Sequence, residues 1–200
     1  MKITQVKTAF KIADVEFVQG STKLNFNYLK ELKNQNGKIL PQKIITENLA
    51  RVYLIVVDGE IKKIGGSQAS GGIKSTLNIY QDGGIKGRPS IRSYGIWYFL
   101  YHTILSGKKI EFYMIYQENF EKDIKGLFGL KKVKEAYISY KLIERCCIED
   151  YLNTEDGRFP EWNVQEQGMD WPLNIKDDHA QLLNKSSRRK KTINRKEVKA

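Results

Sequence analysis

The chain has 200 residues, 40% of them hydrophobic, and carries 34 Lys and Arg against 23 Asp and Glu, a formal net charge of +11. That size suits one core with appendages and excludes a large multidomain assembly. No segment reaches the roughly 18 apolar residues of a membrane helix, and the N-terminal MKITQVKTAFKIADVEF lacks the apolar run of a signal peptide, so the expected compartment is the cytoplasm with no membrane partner.

Residues 1–48 read as an N-terminal arm. In TKLNFNYLKELKN, Leu24, Tyr28 and Leu32 fall four apart, which predicts a helix from Thr22 to Asn34 stopped by Asn36-Gly37. Residues 49–175 form the expected main domain. Its first feature, VYLIVVDGEIKKIGGS from Val52 to Ser67, predicts a β-hairpin over Asp58-Gly59. A simple two-residue loop sets Tyr53 opposite Ile64 and sends Lys63 to the other face. A three-residue loop, Asp58-Gly59-Glu60, with a bulged turn instead pairs Tyr53 with Gly65 and Ile55 with Lys63, so that both polar side chains leave one face and Gly65 frees space beside the phenol for a substrate. A phenol beside an ammonium group drops from its usual pKa of about 10, which makes Tyr53 a candidate general base. The plainer alternative is a strand tyrosine and a solvated lysine.

After the glycine-rich GGSQASGG come a short helix around Ile73 to Tyr80, the loop DGGIKGRPS, an apolar core helix from Ile91 to Ser106 ended by Gly107, and a strand from Lys109 to Tyr116. The loop and the helix start offer Lys86, Arg88 and Arg92 as DNA contacts. Residues 117–134 are charged and give no periodic signal. Ala136 to Asn153 predicts a long helix, and GRFPEWN, Gly157 to Asn163, a turn out of it. Together these elements predict an α+β fold: a small, mainly antiparallel sheet of three strands flanked by helices.

The long helix carries Cys146 and Cys147, adjacent and poorly placed for a mutual disulfide, and two glutamates. Glu149 has Arg145 as an ion-pair partner. Glu144 borders an apolar stripe, where a carboxylate needs either a metal ion or a contact with Lys141. One carboxylate can suffice for Mg²⁺ (or Mn²⁺), which keeps several waters. Residues 176–200 hold nine Lys and Arg against three acids, six of the eleven net charges, and read as a basic, flexible tail or as phosphate contacts.

From Leu49 to Asn163 this arrangement resembles the GIY-YIG endonuclease superfamily, with VYL (52–54) at its first tripeptide and KIG (63–65) at its second. It is most similar to the compact type II restriction enzymes, some of which use lysine in the second motif. The resemblance implies Tyr53 as general base, Lys63 holding or activating it, Glu144 as metal ligand and Asn163 as a hydrogen-bonding support. Neither tripeptide is literal, and the family's helix arginine falls at Lys74, so Lys74 serves that role or Arg88 or Arg92 reaches in. The implied function is site-specific cleavage of double-stranded DNA by a homodimer. Two alternatives are a non-catalytic basic nucleic-acid-binding protein and a repair or mobile-element nuclease of the same superfamily.

Overall fold

The computed structural model describes residues 1–83, 88–136 and 138–197, without the side chains of residues 135, 136 and 186–197. In chain order the elements are β1 (Phe10–Phe17), β2 (Leu24–Tyr28), β3 (Leu32–Lys33), β4 (Ile39–Leu40), β5 (Ala50–Val57), β6 (Glu60–Ser67), α1 (Gly72–Gln81) and α2 (Ile91–Leu105). They continue with β7 (Ile110–Gln117), β8 (Phe120–Gly126), β9 (Gly129–Ala136), α3 (Tyr140–Thr154) and α4 (Leu173–Glu197). The α+β class is as expected. The main sheet, however, has five strands in the order β2-β1-β7-β5-β6, every neighbouring pair antiparallel.

The three expected strands are β6, β5 and β7; the additional two come from the N-terminal arm. Its expected helix over Thr22–Asn34 is instead strands β2 and β3. A spacing of four residues is common to the helical and the two-residue strand periods, so Leu24, Tyr28 and Leu32 could not separate them. Phe26 decides the matter: Leu24 and Phe26 are buried while Asn25, between them, is exposed. The segment at 117–134, indefinite by sequence, is the β8–β9 hairpin, a separate two-stranded sheet. It takes Ala136 into a strand, and α3 begins later than expected, after Ser139, whose hydroxyl accepts from the Lys141 amide.

Burial on both faces follows from the alternation of β5, whose eight residues are all buried. Tyr53, Ile55 and Val57 join the core beneath α1 and α2, with Ile73, Leu77, Ile96 and Leu100. Val52, Leu54 and Val56 face α3 and pack with Tyr151, Ile148 and Cys147. Each aliphatic side chain so buried contributes roughly 1.5–3 kcal/mol, which is why a strand placed one in from the edge can hold a tyrosine rigidly.

Helix α4 runs from Leu173 to Glu197, and its first turns are anchored: Ile175 is 1% exposed, and the His179 ring nitrogen Nε2 lies 2.8 Å from the Pro89 carbonyl oxygen. Among the described residues no helix is long and apolar enough to cross a membrane.

Candidate active site

The β5–β6 hairpin sets the site. Asp58 and Gly59 both take positive φ, 47° and 84°, forming the two-residue turn whose twist suits a hairpin. The pairing then slips between Ile55 and Val56: Val56 faces Ile61, Ile55 faces Lys63 and Tyr53 faces Gly65. This is the register that puts Tyr53 and Lys63 on one face. Its device differs from the expected three-residue loop, for the extra residue is Lys62, bulged within the strand instead of at the turn.

Gly65 has a different use from the one expected. A Cβ there would stand 2.4 Å from Cζ of Tyr53 and 2.5 Å from its hydroxyl oxygen, so the phenol itself lies across the glycine and fills the space. Tyr53 is 2% exposed, and its hydroxyl meets that of Tyr80 on α1 at 2.8 Å. Burial pushes the Tyr53 phenol well above its ordinary value, and the Tyr80 hydroxyl reinforces this; Arg92 pulls it back only in part. The expected fall in pKa is therefore reversed, because desolvation outweighs the nearby cations.

Lys63 is 1% exposed. Burial lowers its pKa to about 8; the Glu166 carboxylate, 3.7 Å away, works against that fall, while Arg92 adds to it. Glu166 also accepts from Arg92, Nη2 to Oε1 at 3.0 Å, and so ties the lysine to the first turn of α2. Arg92 loses solvation as well, yet Tyr53, Glu166, Tyr80 and Glu144 together hold it above its ordinary value.

The remaining candidates gather along the outer edge of β6, the last strand of the sheet. An edge strand must find partners for its outward N–H and C=O groups, and here they are supplied one rung at a time. The Lys62 carbonyl accepts from the Trp162 amide at 2.8 Å. The Asn163 side chain then pairs with Ile64 as a strand would, its Oδ1 accepting from the amide and its Nδ2 donating to the carbonyl, both at 2.8 Å. At the next rung Gly66 N–H donates to Glu144 Oε1 at 2.6 Å. A Cβ on Gly66 would stand 2.5 Å from Tyr140 Cδ2 and 2.9 Å from Glu144 Oε2, so only glycine lets α3 come this close.

The structure thus brings together Tyr53, Lys63, Arg92 and Glu144, with Arg92 and Glu144 acting on both the phenol and the lysine, and Asn163 is buried on the same strand edge. Glu144 answers to Gly66 and not to Lys141, whereas Glu149 does pair with Arg145, at 3.6 Å. Lys74 is directed elsewhere, its ammonium 5.0 Å above the Tyr28 ring. Arg88 is exposed in the loop before α2, and Lys86 lies outside the described residues. Sequence reasoning missed Tyr80 and Glu166. Tyr80 continues the buried face of α1 after Ile73 and Leu77, so its burial was legible while its partner was not. Glu166 follows Asn163 in an aperiodic stretch that offered no signal.

Among the described residues no cluster of three or more His, Cys, Asp or Glu is placed to hold a metal ion. Of the two carboxylates at the site, Glu166 is already paired with Lys63 and Arg92, which leaves Glu144, half-buried at the strand edge, as the one whose oxygens suit a hard cation. A cavity of about 430 Å³ between Met1, Leu54, Cys147 and Tyr151 opens on the α3 face and is lined by none of the site residues named above.

Neither a family model nor a curated protein matches the sequence. Solved structures do. A mutant of bacteriophage T4 EndoII superposes with a TM-score of 0.50 over 82% of this chain and 99% of that one, at 14% identity. The restriction endonuclease HPY188I in complex with product DNA superposes more loosely, with a TM-score of 0.44 over 80% and 84% of the two chains at 20% identity. The five-stranded antiparallel α+β sheet, with its site wrapped around one edge strand, therefore has the fold of EndoII over nearly all of that protein.

Proposed function

We propose that this chain is a divalent-metal-dependent endonuclease of double-stranded DNA, of the GIY-YIG type, and that it works as a homodimer on a symmetric site. The observation that carries the reading is the convergence at β6: Tyr53 laid across Gly65, Lys63 and Arg92 beside it, and Glu144 seated on Gly66. The fold shared with an endonuclease, phage T4 EndoII, and the +11 net charge agree with it. Two active sites related by a two-fold axis would match the symmetry of a palindromic target.

In this reading Glu144 would hold Mg²⁺ or Mn²⁺, which supplies charge stabilisation for the leaving oxygen. Arg92 contacts the phosphate, in the role the resemblance left open between Lys74, Arg88 and Arg92, because it alone of the three is coupled to Tyr53. Tyr53 accepts the proton of the attacking water, the water oxygen bonds to phosphorus, and the bond from phosphorus to one deoxyribose oxygen breaks. Tyr53 must be a phenolate to do so. Its high pKa means that cleavage should accelerate as pH rises through and beyond the lysine's value of about 8. Asn163 holds β6 in register and so places both Lys63 and Gly65.

The burial of Tyr53 favours the second reading, a non-catalytic nucleic-acid-binding protein, since a phenol this enclosed is reluctant to ionise. Incubating supercoiled, unmethylated plasmid with and without Mg²⁺ separates the two. Metal-dependent nicking with discrete fragments supports the endonuclease; intact plasmid that is retarded in a gel supports the binding protein.

A further inference from the structure

The β8–β9 hairpin stands apart from both hydrophobic cores, and its tip is unlike the rest of the surface. Leu127 and Phe128 form the turn between the paired glycines Gly126 and Gly129 and are 94% and 95% exposed. Leu130 (69%) and Ile124 (44%) follow on either strand. Two large apolar side chains fully in water at the end of a ribbon have no folding role. From Ile124 to Lys132 the charged residues are Lys125, Lys131 and Lys132, with no acid among them. Asp123 lies opposite Lys132 midway along the ribbon and Glu121 pairs with Lys132 at 2.8 Å, which leaves Lys125 and Lys131 as the charges nearest the tip.

The root adjoins the candidate active site. β7, which leads into the hairpin, ends at Gln117 opposite Ala50, three residues before Tyr53 on β5. The chain leaving β9 enters α3 at Tyr140, which lies against Gly66 one helical turn from Glu144. Strands of this length extend roughly 25 Å at about 3.3 Å per residue. The ribbon thus begins close to the groups placed on the scissile phosphate, with its apolar tip roughly 25 Å from its root.

We infer that the β8–β9 hairpin is a DNA-binding arm that enters a groove of the duplex beside the cut position and wedges Leu127 and Phe128 between base pairs. An apolar wedge flanked by lysines suits this partner. The lysines meet the phosphates on either side while the tip unstacks a base step and bends the helix, the cost of unstacking being met by those contacts and by burial of the two apolar side chains. The inference rests on the reading of the chain as a DNA-binding nuclease, although it does not require cleavage.

The test is a comparison of the full chain with the double variant Leu127→Ser/Phe128→Ser in EDTA, on a short duplex labelled with a fluorescent donor and acceptor at its two ends. The wild type should raise energy transfer by bending the duplex, and the variant should bind about tenfold more weakly and lose that rise, with an unchanged melting temperature. Equal affinity and equal energy transfer for the two proteins would overturn the arm. So would a wild-type dimer that becomes monomeric in the variant with DNA bending intact, since the tip would then be a contact between copies. Nicking with Mg²⁺ is scored separately: a bending arm without nicking sinks the endonuclease and keeps the arm, and nicking without bending does the reverse.

Discussion

At the residue scale, the site opposes two ionisable groups to their burial, and each yields an experiment. Tyr53→Phe keeps the ring over Gly65 but removes the hydroxyl that meets Tyr80, so it should abolish most cleavage while costing about 1 kcal/mol of stability, read from plasmid nicking and a denaturant melt. Wild-type turnover by this variant eliminates Tyr53 as the base. Lys63 has a folded pKa of about 8 against 10.5 when solvated. Between those values the unfolded chain holds more protons, so stability rises with pH; below about 8 the full penalty of burying the charge applies, on the order of 3 kcal/mol at about 1.4 kcal/mol per pH unit. Lys63→Met should therefore lose cleavage yet melt higher than the wild type at neutral pH, with the gap closing toward pH 10. Glu166 is not stranded by the change, because Arg92 still holds it at 3.0 Å. A Lys63→Met protein that melts lower at pH 7 would mean that the ion pair outweighs desolvation. For the glutamates, Glu144→Gln keeps an oxygen for the Gly66 amide and removes the charge, so the protein should fold and bind DNA but fail to cut. Glu149→Gln loses only an exposed pair with Arg145 and should be neutral within a few tenths of a kcal/mol.

At the scale of elements, the site depends on glycines that let neighbours approach. Gly65→Ala places a Cβ 2.4 Å from the Tyr53 ring, which has no room to retreat in a fully buried strand. Overpacking of this kind costs typically 1–3 kcal/mol, and the displaced phenol should cut turnover at least as severely as Tyr53→Phe; a crystal structure of the variant with the ring unmoved would contradict the argument. The same hairpin shows what was legible in the sequence. Its register could be reasoned from the need to bring Tyr53 and Lys63 to one face, yet the position of the bulge could not, because Lys62 in a strand looks like any other lysine. Helix α2 and strand β7 were readable as apolar runs bounded by Pro89 and Gly107, and α1 from the buried spacing of Ile73, Leu77 and Tyr80. The strands of the arm were not, since spacings of four satisfy both periods, nor was the β8–β9 ribbon, which buries too little for any alternation to be imposed on it. Contacts made across the fold, such as Tyr80 with Tyr53 and Glu166 with Lys63 and Arg92, leave no mark on local sequence.

At the scale of the whole molecule, charge is separated from chemistry. The candidate active site is nearly balanced, Lys63 and Arg92 facing Glu166 and Glu144, whereas the excess sits in the tail: residues 185–200 carry eight Lys and Arg and one Glu. Helix α4 is anchored to the core through Ile175 and the His179 contact to Pro89, both upstream of Lys185. Removing Lys185 to Ala200 should therefore leave the melting temperature nearly unchanged. It should weaken binding to every DNA sequence alike, since cations that meet phosphates read no bases. Each lost phosphate contact removes about 0.9 from the slope of log affinity against log salt, so a plot of affinity over a salt series should flatten by several units if the tail lies along the backbone. The cut sequence should stay the same. If truncation instead changes which sites are cut while the salt slope holds, the tail is reading bases and belongs to recognition rather than to bulk attraction.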